Sequence, residues 1–212
     1  MSFVPVEEAV AAFREGRFVI ICDDEGRENE GDFAIAAEFA DAAAVNFMAT
    51  HGRGLICCSL APHIADALGL ELMVPKDANR SGFGTPFTIP VEAAEGVTTG
   101  ISAADRARTI SVLINPESKP TDLVKPGHMF PLRAAENGVL DRDGQTEASV
   151  DLAKLAGLRP GAVICEVMND DGTMARRDDL MAIAKEHHIP MVTVADLITY
   201  RKEKGDGVNA AA

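Results

Sequence analysis

The sequence predicts an α/β protein of the α+β type, a single layered domain in which helices flank a mixed β-sheet. Three observations point there. Short apolar runs rich in β-branched residues, such as Phe18 to Cys22 (FVIIC) and Ala162 to Val167 (AVICEV), have strand length and are bounded by charge or turn residues. The segments between them repeat apolar residues at helical spacing. No internal repeat or low-complexity linker interrupts the 212 residues, so one core is expected over residues 1–205, with a short flexible tail at 206–212.

Each element has a local reason. Val6 to Phe13 reads as an amphipathic helix after Pro5, closed by Gly16, that delivers the chain into the strand at 18–22. Phe33 to Ala37 (FAIAA) is a second strand, after which Asp41 caps a helix to about Thr50. Gly54 to Leu60 (GLICCSL) is a third strand, and Pro62 stands in the first turn of a helix to Leu68. Asp77 to Pro86 (DANRSGFGTP) has the Gly, Asn and Ser content of a mobile loop, and a functional lid and a plain surface loop are both open. Phe87 to Val91 resumes an extended pattern, and Gly96 to Gly100 turns the chain. Ser102 with Asp105 resembles a capping box ahead of a helix to about Ile114. Pro116 to Pro126 is a proline-punctuated connection into an extended piece, Gly127 to Arg133. Thr146 is expected to cap a helix over Ala148 to Ala156, and the strand at 162–167 follows. A turn at Asn169 to Thr173, a helix at Asp178 to His187, a strand at Met191 to Val194 and a helix from Asp196 to Lys202 close the fold.

Composition excludes several functions. A formal charge of −13 argues against nucleic acid or an anionic membrane as the main partner, although it permits a local basic pocket. The start MSFVPVEEAV lacks the basic and apolar regions of a signal peptide, and no apolar run approaches a membrane span, so a cytoplasmic protein is expected. Cys22, Cys57, Cys58 and Cys165 lie in apolar segments without zinc or redox spacing and read as buried thiols. Cys57 and Cys58 should face opposite sides of a strand, which would leave one reachable.

The chemistry concentrates in four places. Asp23 to Asp32 (DDEGRENEGD) holds six carboxylates around Arg27 and leaves the end of an apolar strand. It is either a solvated acidic turn or a set of carboxylates converging on a cation or substrate, since Mg²⁺ takes one or two carboxylates plus water and substrate oxygens. Arg142 to Glu147 (RDGQTE) puts Arg142 and Gly144 at a helix start, where free amides and the helix dipole favour an anion; an ordinary turn is the alternative. Glu166 interrupts an apolar strand and must find a cation, a metal or a proton. His128 opens a strand edge after a Pro-Gly pair, a place suited to acid and base work or to a structural role. Together they supply metal ligation, anion binding and proton transfer, as a small phosphorylated substrate would need.

With those motifs in view, the chain resembles the 3,4-dihydroxy-2-butanone 4-phosphate synthases of riboflavin biosynthesis. The resemblance runs from the first helix to about Arg201 through DDEGRENEGD (23–32), GTPFT (84–88), EAAEGVTTGISAADR (92–106), KPGHMFPLRA (125–134), RDGQTEASVDLAKLAG (142–157) and CEVMNDDGTMAR (165–176). It implies a formate-releasing lyase that acts on ribulose 5-phosphate with Mg²⁺, or Mn²⁺, as a homodimer. It implies Glu28 and the residue at 145 as metal ligands, and Asp32, His128 and Glu166 as groups required for catalysis. Substrate contacts are implied for Arg27, Glu28, Asp32, Arg142, Asp143, Gly144, Gln145, Thr146 and Glu166. Loop mobility is implied for the acidic stretch and for Asn79 to Thr85. Many members carry a fused GTP cyclohydrolase II half, for which this chain is too short. The family pattern has histidine where this chain has Gln145, a neutral and more flexible ligand. A sugar-phosphate binding protein without turnover, and a related Mg²⁺ lyase or isomerase on another sugar phosphate, are the alternative functions.

Overall fold

A computed structural model describes residues 3–204, and the tail expected at 206–212 lies outside them. Seven strands form one sheet: β1 (Val19–Cys22), β2 (Gly31–Ala36), β3 (Cys57–Leu60), β4 (Val91–Ala93), β5 (Leu123–Arg133), β6 (Gly161–Glu166) and β7 (Met191–Thr193). Their spatial order is β4-β5-β3-β6-β2-β1-β7. The pairs β1–β7 and β3–β5 are parallel and the others antiparallel, so the sheet is mixed as expected.

The central strands are buried on both faces, which is why they read as continuous apolar runs. Alternate residues feed two cores. Ile20, Phe33, Ile35, Cys58, Val163 and Cys165 join one core with α2 (Ala42–Phe47), α4 (Ala103–Ile114) and α6 (Arg177–His187). Val19, Ile21, Ala34, Ala36, Cys57 and Ile164 join the other with α1 (Val6–Arg14), α5 (Gln145–Leu155) and α7 (Val194–Lys204). A short α3 (Pro62–Ala67) follows β3 with Pro62 in its first turn. Helix α5 is buried continuously from Gln145 to Ala153, so the polar residues on it must find partners inside the protein.

Several local expectations are corrected. The helix after Asp41 stops at Phe47 and passes into a π-turn over Met48–Gly52, although Asp41 does cap it, accepting from the Ala44 amide. Strand β5 begins at Leu123, not Gly127. Its pairing with β4 shifts register between Val91 and Glu92, and Pro126 falls in that irregular stretch, where the missing N–H costs no regular ladder bond. Helix α5 begins at Gln145 with Gly144 at its N-cap, which places Thr146 inside the helix and not at the cap. Cys57 and Cys58 do point to opposite cores, but both are buried and neither is reachable.

Candidate active site

The eight residues between β1 and β2 are the acidic loop, and their carboxylates have different jobs. Asp23, whose side chain is fully buried, accepts from the amides of Glu28 (3.0 Å) and Glu30 (2.8 Å) and from Arg27 Nη1 (2.8 Å). It is the internal brace of the loop, and sequence alone does not separate it from its five acidic neighbours. Arg27 spans the site. The same Nη1 donates to Gln145 Oε1 at 2.8 Å, Nη2 lies 3.3 Å from Glu28 Oε1, and the guanidinium sits 5.0 Å above the ring of Phe83. From the other side Arg176 donates to the carbonyls of Glu28 and Asn29. Asn29 adopts φ of 54°, the left-handed region that an asparagine tolerates better than most residues. Glu28 is thereby held by its backbone while its carboxylate stays partly open. Burial pushes the Glu28 carboxyl above its ordinary value, with Arg27 pulling the other way.

Asp32 and Glu166 face each other as direct partners across β2 and β6. Alternation puts both on the α5 side, in line with Ala34 and Ile164. Like charges opposed in a sheet repel. Asp32 is almost fully buried, and its Oδ1 has no hydrogen-bond partner. Burial first, then the charge of Glu166, then those of Glu28, Glu30 and Asp23, hold the Asp32 carboxyl well above the ordinary carboxylate range. Glu166 differs, because its Oε2 accepts from the Leu55 amide at 2.8 Å. Opposed acids in unlike surroundings are one way a site separates a proton donor from a proton acceptor.

Helix α5 starts beside this pair without a side-chain cap. Arg142 is braced there: Nη1 donates to buried Glu147 Oε2 at 2.6 Å, and Nη2 to the Phe83 carbonyl at 3.2 Å. A Cβ at Gly144 would stand 2.2 Å from Arg142 Nη1, so glycine is what lets the guanidinium lie over the helix start. Asp143 is exposed, 3.8 Å from Arg27, and Thr146 is buried within the first turn. A recess lined by Asp24, Gly26, Arg27, Phe83, Arg142 and Asp143 opens here. A cavity of about 420 Å³ lined by residues of the 72–87 segment adjoins it, with Arg142 in the shared wall and Glu147 on the cavity side. The loop read in sequence as either a lid or a plain surface loop therefore reaches the site through Phe83, between Gly82 and Gly84.

His128 is placed differently. Its Nδ1 pairs with Glu92 on the β4–β5 side of the sheet, and its side chain is about half exposed. No contact joins it to Asp32, Glu28 or Glu166 among the described residues. The structure thus brings Arg27, Glu28, Asp32, Arg142, Asp143, Gly144, Gln145, Thr146 and Glu166 to one end of α5 and leaves His128 apart from them. Asp23, Glu147 and Phe83 are the members that sequence reasoning missed as individuals.

The model of the family described as 3,4-dihydroxy-2-butanone 4-phosphate synthase matches residues 7–200. The chain belongs to this family. A 3,4-dihydroxy-2-butanone 4-phosphate synthase of Pseudomonas syringae pv. tomato is 55% identical over 95% of this chain and 54% of its own length. One from Cronobacter sakazakii is 51% identical over 95% of this chain and 92% of its own. Among solved structures, a 3,4-dihydroxy-2-butanone 4-phosphate synthase in complex with two magnesium ions has a TM-score of 0.90 at 40% identity, covering 96% and 99% of the two chains. The two-domain synthase RibBX of A. baumannii has a TM-score of 0.91 at 49% identity, covering 96% of this chain and 59% of its own. The chain spans about half the length of several curated relatives it matches.

The donors of this site decide whether it fits a divalent ion. The unpartnered Asp32 oxygen and four further acids that raise its pKa make a locus of uncompensated negative charge, which a cation would relieve. Among the described residues no three His, Cys, Asp or Glu side chains converge tightly enough to hold an ion alone. Mg²⁺ needs only one or two protein carboxylates and takes the rest of its ligands from water and substrate. Glu28 suits the ligand role. Gln145 is the weak point, because its Oε1 is committed to Arg27 while its Nε2, a donor only, is buried without a partner.

Proposed function

We propose that this chain converts D-ribulose 5-phosphate into 3,4-dihydroxy-2-butanone 4-phosphate and formate, in riboflavin biosynthesis, with Mg²⁺ (Mn²⁺ as the alternative ion), as a cytoplasmic homodimer. The observation that carries the reading is the opposed Asp32 and Glu166 pair beside Glu28 and the start of α5. Pentose phosphate in and four-carbon phosphate plus formate out balance without an oxidant, so proton transfers and charge stabilisation are all the protein must supply. Glu28, with Gln145 beside it, would hold the ion, which would supply positive charge to stabilise negative charge developing on the sugar oxygens.

The chain's own groups do the rest. Arg142, held by Glu147, and the open amides of α5 bind the phosphate, with Asp143, Gly144 and Thr146 shaping the cradle. Phosphate binding there fixes the reacting end over the acids. Glu166, held in place by the Leu55 amide, accepts the proton next to the carbonyl, and Asp32, with its raised pKa, donates one to the departing hydroxyl. Arg27 contacts the sugar on the open side of its guanidinium. His128, paired with Glu92 away from these acids, takes neither of these two proton transfers in this reading.

The test is formate release from ribulose 5-phosphate across a Mg²⁺ titration, with Glu28→Ala as the control that should abolish it. No formate at any Mg²⁺ concentration would overturn the proposal. One observation favours a second reading, a sugar-phosphate binder without turnover: the Gln145 oxygen is already taken by Arg27. That reading predicts saturable binding with no product, and appearance of turnover in Gln145→His.

A further inference from the structure

Glu166 is the last residue of β6, where the regular ladder stops holding the chain. What holds it comes from residues 48–55. After α2 the backbone makes the π-turn at Met48–Gly52, with the Arg53 amide donating to the Met48 carbonyl at 3.1 Å. Such turns are rare and concentrate at functional sites. Arg53 then takes φ of 68°, a left-handed backbone that an arginine seldom adopts. The strained residue is tied down on the chain that follows Glu166. Arg53 bridges Val167 in antiparallel fashion, its guanidinium donates to the Met168 carbonyl (3.0 Å) and to Asp170 (2.5 Å), and the Met168 amide donates to the Gly52 carbonyl (2.9 Å).

Two glycines make the approach possible. A Cβ at Gly52 would lie 2.8 Å from Cys165 Sγ, and one at Gly54 would lie 2.5 Å from the Glu166 carbonyl oxygen and 2.6 Å from its Oε2. All three distances are shorter than real Cβ contacts. The result is the 2.8 Å bond from the Leu55 amide to Glu166 Oε2. The Leu55 side chain is exposed, so packing does not explain why the backbone comes here.

We propose that Arg53, Gly54 and Leu55 form a positioning device for the Glu166 carboxylate, with the Leu55 amide as the fixed donor and Gly54 as the residue whose missing side chain admits it. This rests on the reading of Glu166 as the proton acceptor in formate release. The segment touches no substrate group itself and acts through Glu166.

The test uses the full chain. Leu55→Pro deletes this single donor, whose partner among the described residues is Glu166, and the preceding glycine accommodates a proline. Leu55→Ala keeps the amide and removes only the exposed side chain. Relative to Leu55→Ala, Leu55→Pro should lose about ten- to a hundredfold in kcat for formate release, the size expected when a charged group loses a hydrogen bond. KM for ribulose 5-phosphate and Tm should match between the two. Gly54→Ala, which displaces the carboxylate without deleting the donor, should also lower kcat at constant KM. Equal kcat in Leu55→Pro and Leu55→Ala overturns the inference, as does a loss shared by kcat, KM and Tm. Should Leu55→Pro not fold, Gly54→Ala decides, and an unchanged kcat overturns it. Absence of formate from the unaltered chain would instead remove the underlying reading, and this inference with it.

Discussion

Asp32 and Asp151 are both carboxylates buried on the α5 side of the sheet, and each leaves its Oδ1 without a hydrogen-bond partner. Their surroundings are opposite. Asp151 sets its Oδ2 against Arg201 Nη1 at 2.8 Å and the Val139 amide at 2.9 Å, so a buried cation answers a buried anion. Asp32 has no cationic side chain paired with it among the described residues, and the residue directly across the sheet from it is another acid. A chain that could supply an arginine at one place and does not at the other keeps the second charge for something outside itself. Burial alone does not mark a functional acid; an unanswered charge does.

The comparison breaks most visibly through activity. Asp32→Asn should lower kcat for formate release by about a hundred- to ten-thousandfold, the usual size of a lost acid or base, while the urea midpoint at neutral pH holds or rises because a like-charge pair has gone. Asp151→Asn should do the reverse: unfolding in urea loses about 3–5 kcal/mol, the cost of stranding the buried Arg201, and kcat of the folded fraction is unchanged. If both variants lose mainly stability, the contrast is wrong. Next in size, Gln145→His frees the metal side of the site from the Arg27 bond, and the Mg²⁺ concentration for half-maximal turnover should fall by roughly tenfold to a hundredfold.

The smallest effect is in pH. The folded chain keeps a proton on Asp32 over a range where the unfolded chain has shed it. Stability from this group is therefore full below the ordinary carboxylate value and declines as pH rises through the elevated folded value. Urea midpoints of the unaltered chain should drop relative to Asp32→Asn as pH climbs through that window, and added Mg²⁺ should flatten the difference. A midpoint of the unaltered chain that rises relative to Asp32→Asn as pH climbs would contradict it.

The strands that flank this contrast were legible because they are apolar on both faces, and FVIIC and AVICEV could hardly be anything else once buried. The partnership of Asp32 with Glu166 was not legible. It depends on the register between β2 and β6, which joins distant parts of the chain, and either residue read alone is only an acid near a strand end. Asp23 was hidden for a related reason, since its bonds to the Glu28 and Glu30 amides exist only when the loop closes on itself. The start of α5 was misplaced because Thr146 has the chemistry of a cap, whereas the helix begins at Gln145, three residues before the expected Ala148, behind a glycine left bare for Arg142. His128 shows the limit of a residue-type argument. An imidazole at a strand edge was expected to serve the acids, and among the described residues its side-chain partner is Glu92, brought to it by the β4–β5 pairing.

The Phe83 ring over Arg27 makes the molecule readable by light. The sequence contains no tryptophan, so Phe83→Trp would place a lone indole 5.0 Å from the guanidinium, at the point where the 72–87 segment meets the acidic loop. Its emission would report whether that segment stands open or shut as sugar phosphate and Mg²⁺ are added separately, and so time the closing of the site apart from the chemistry inside it.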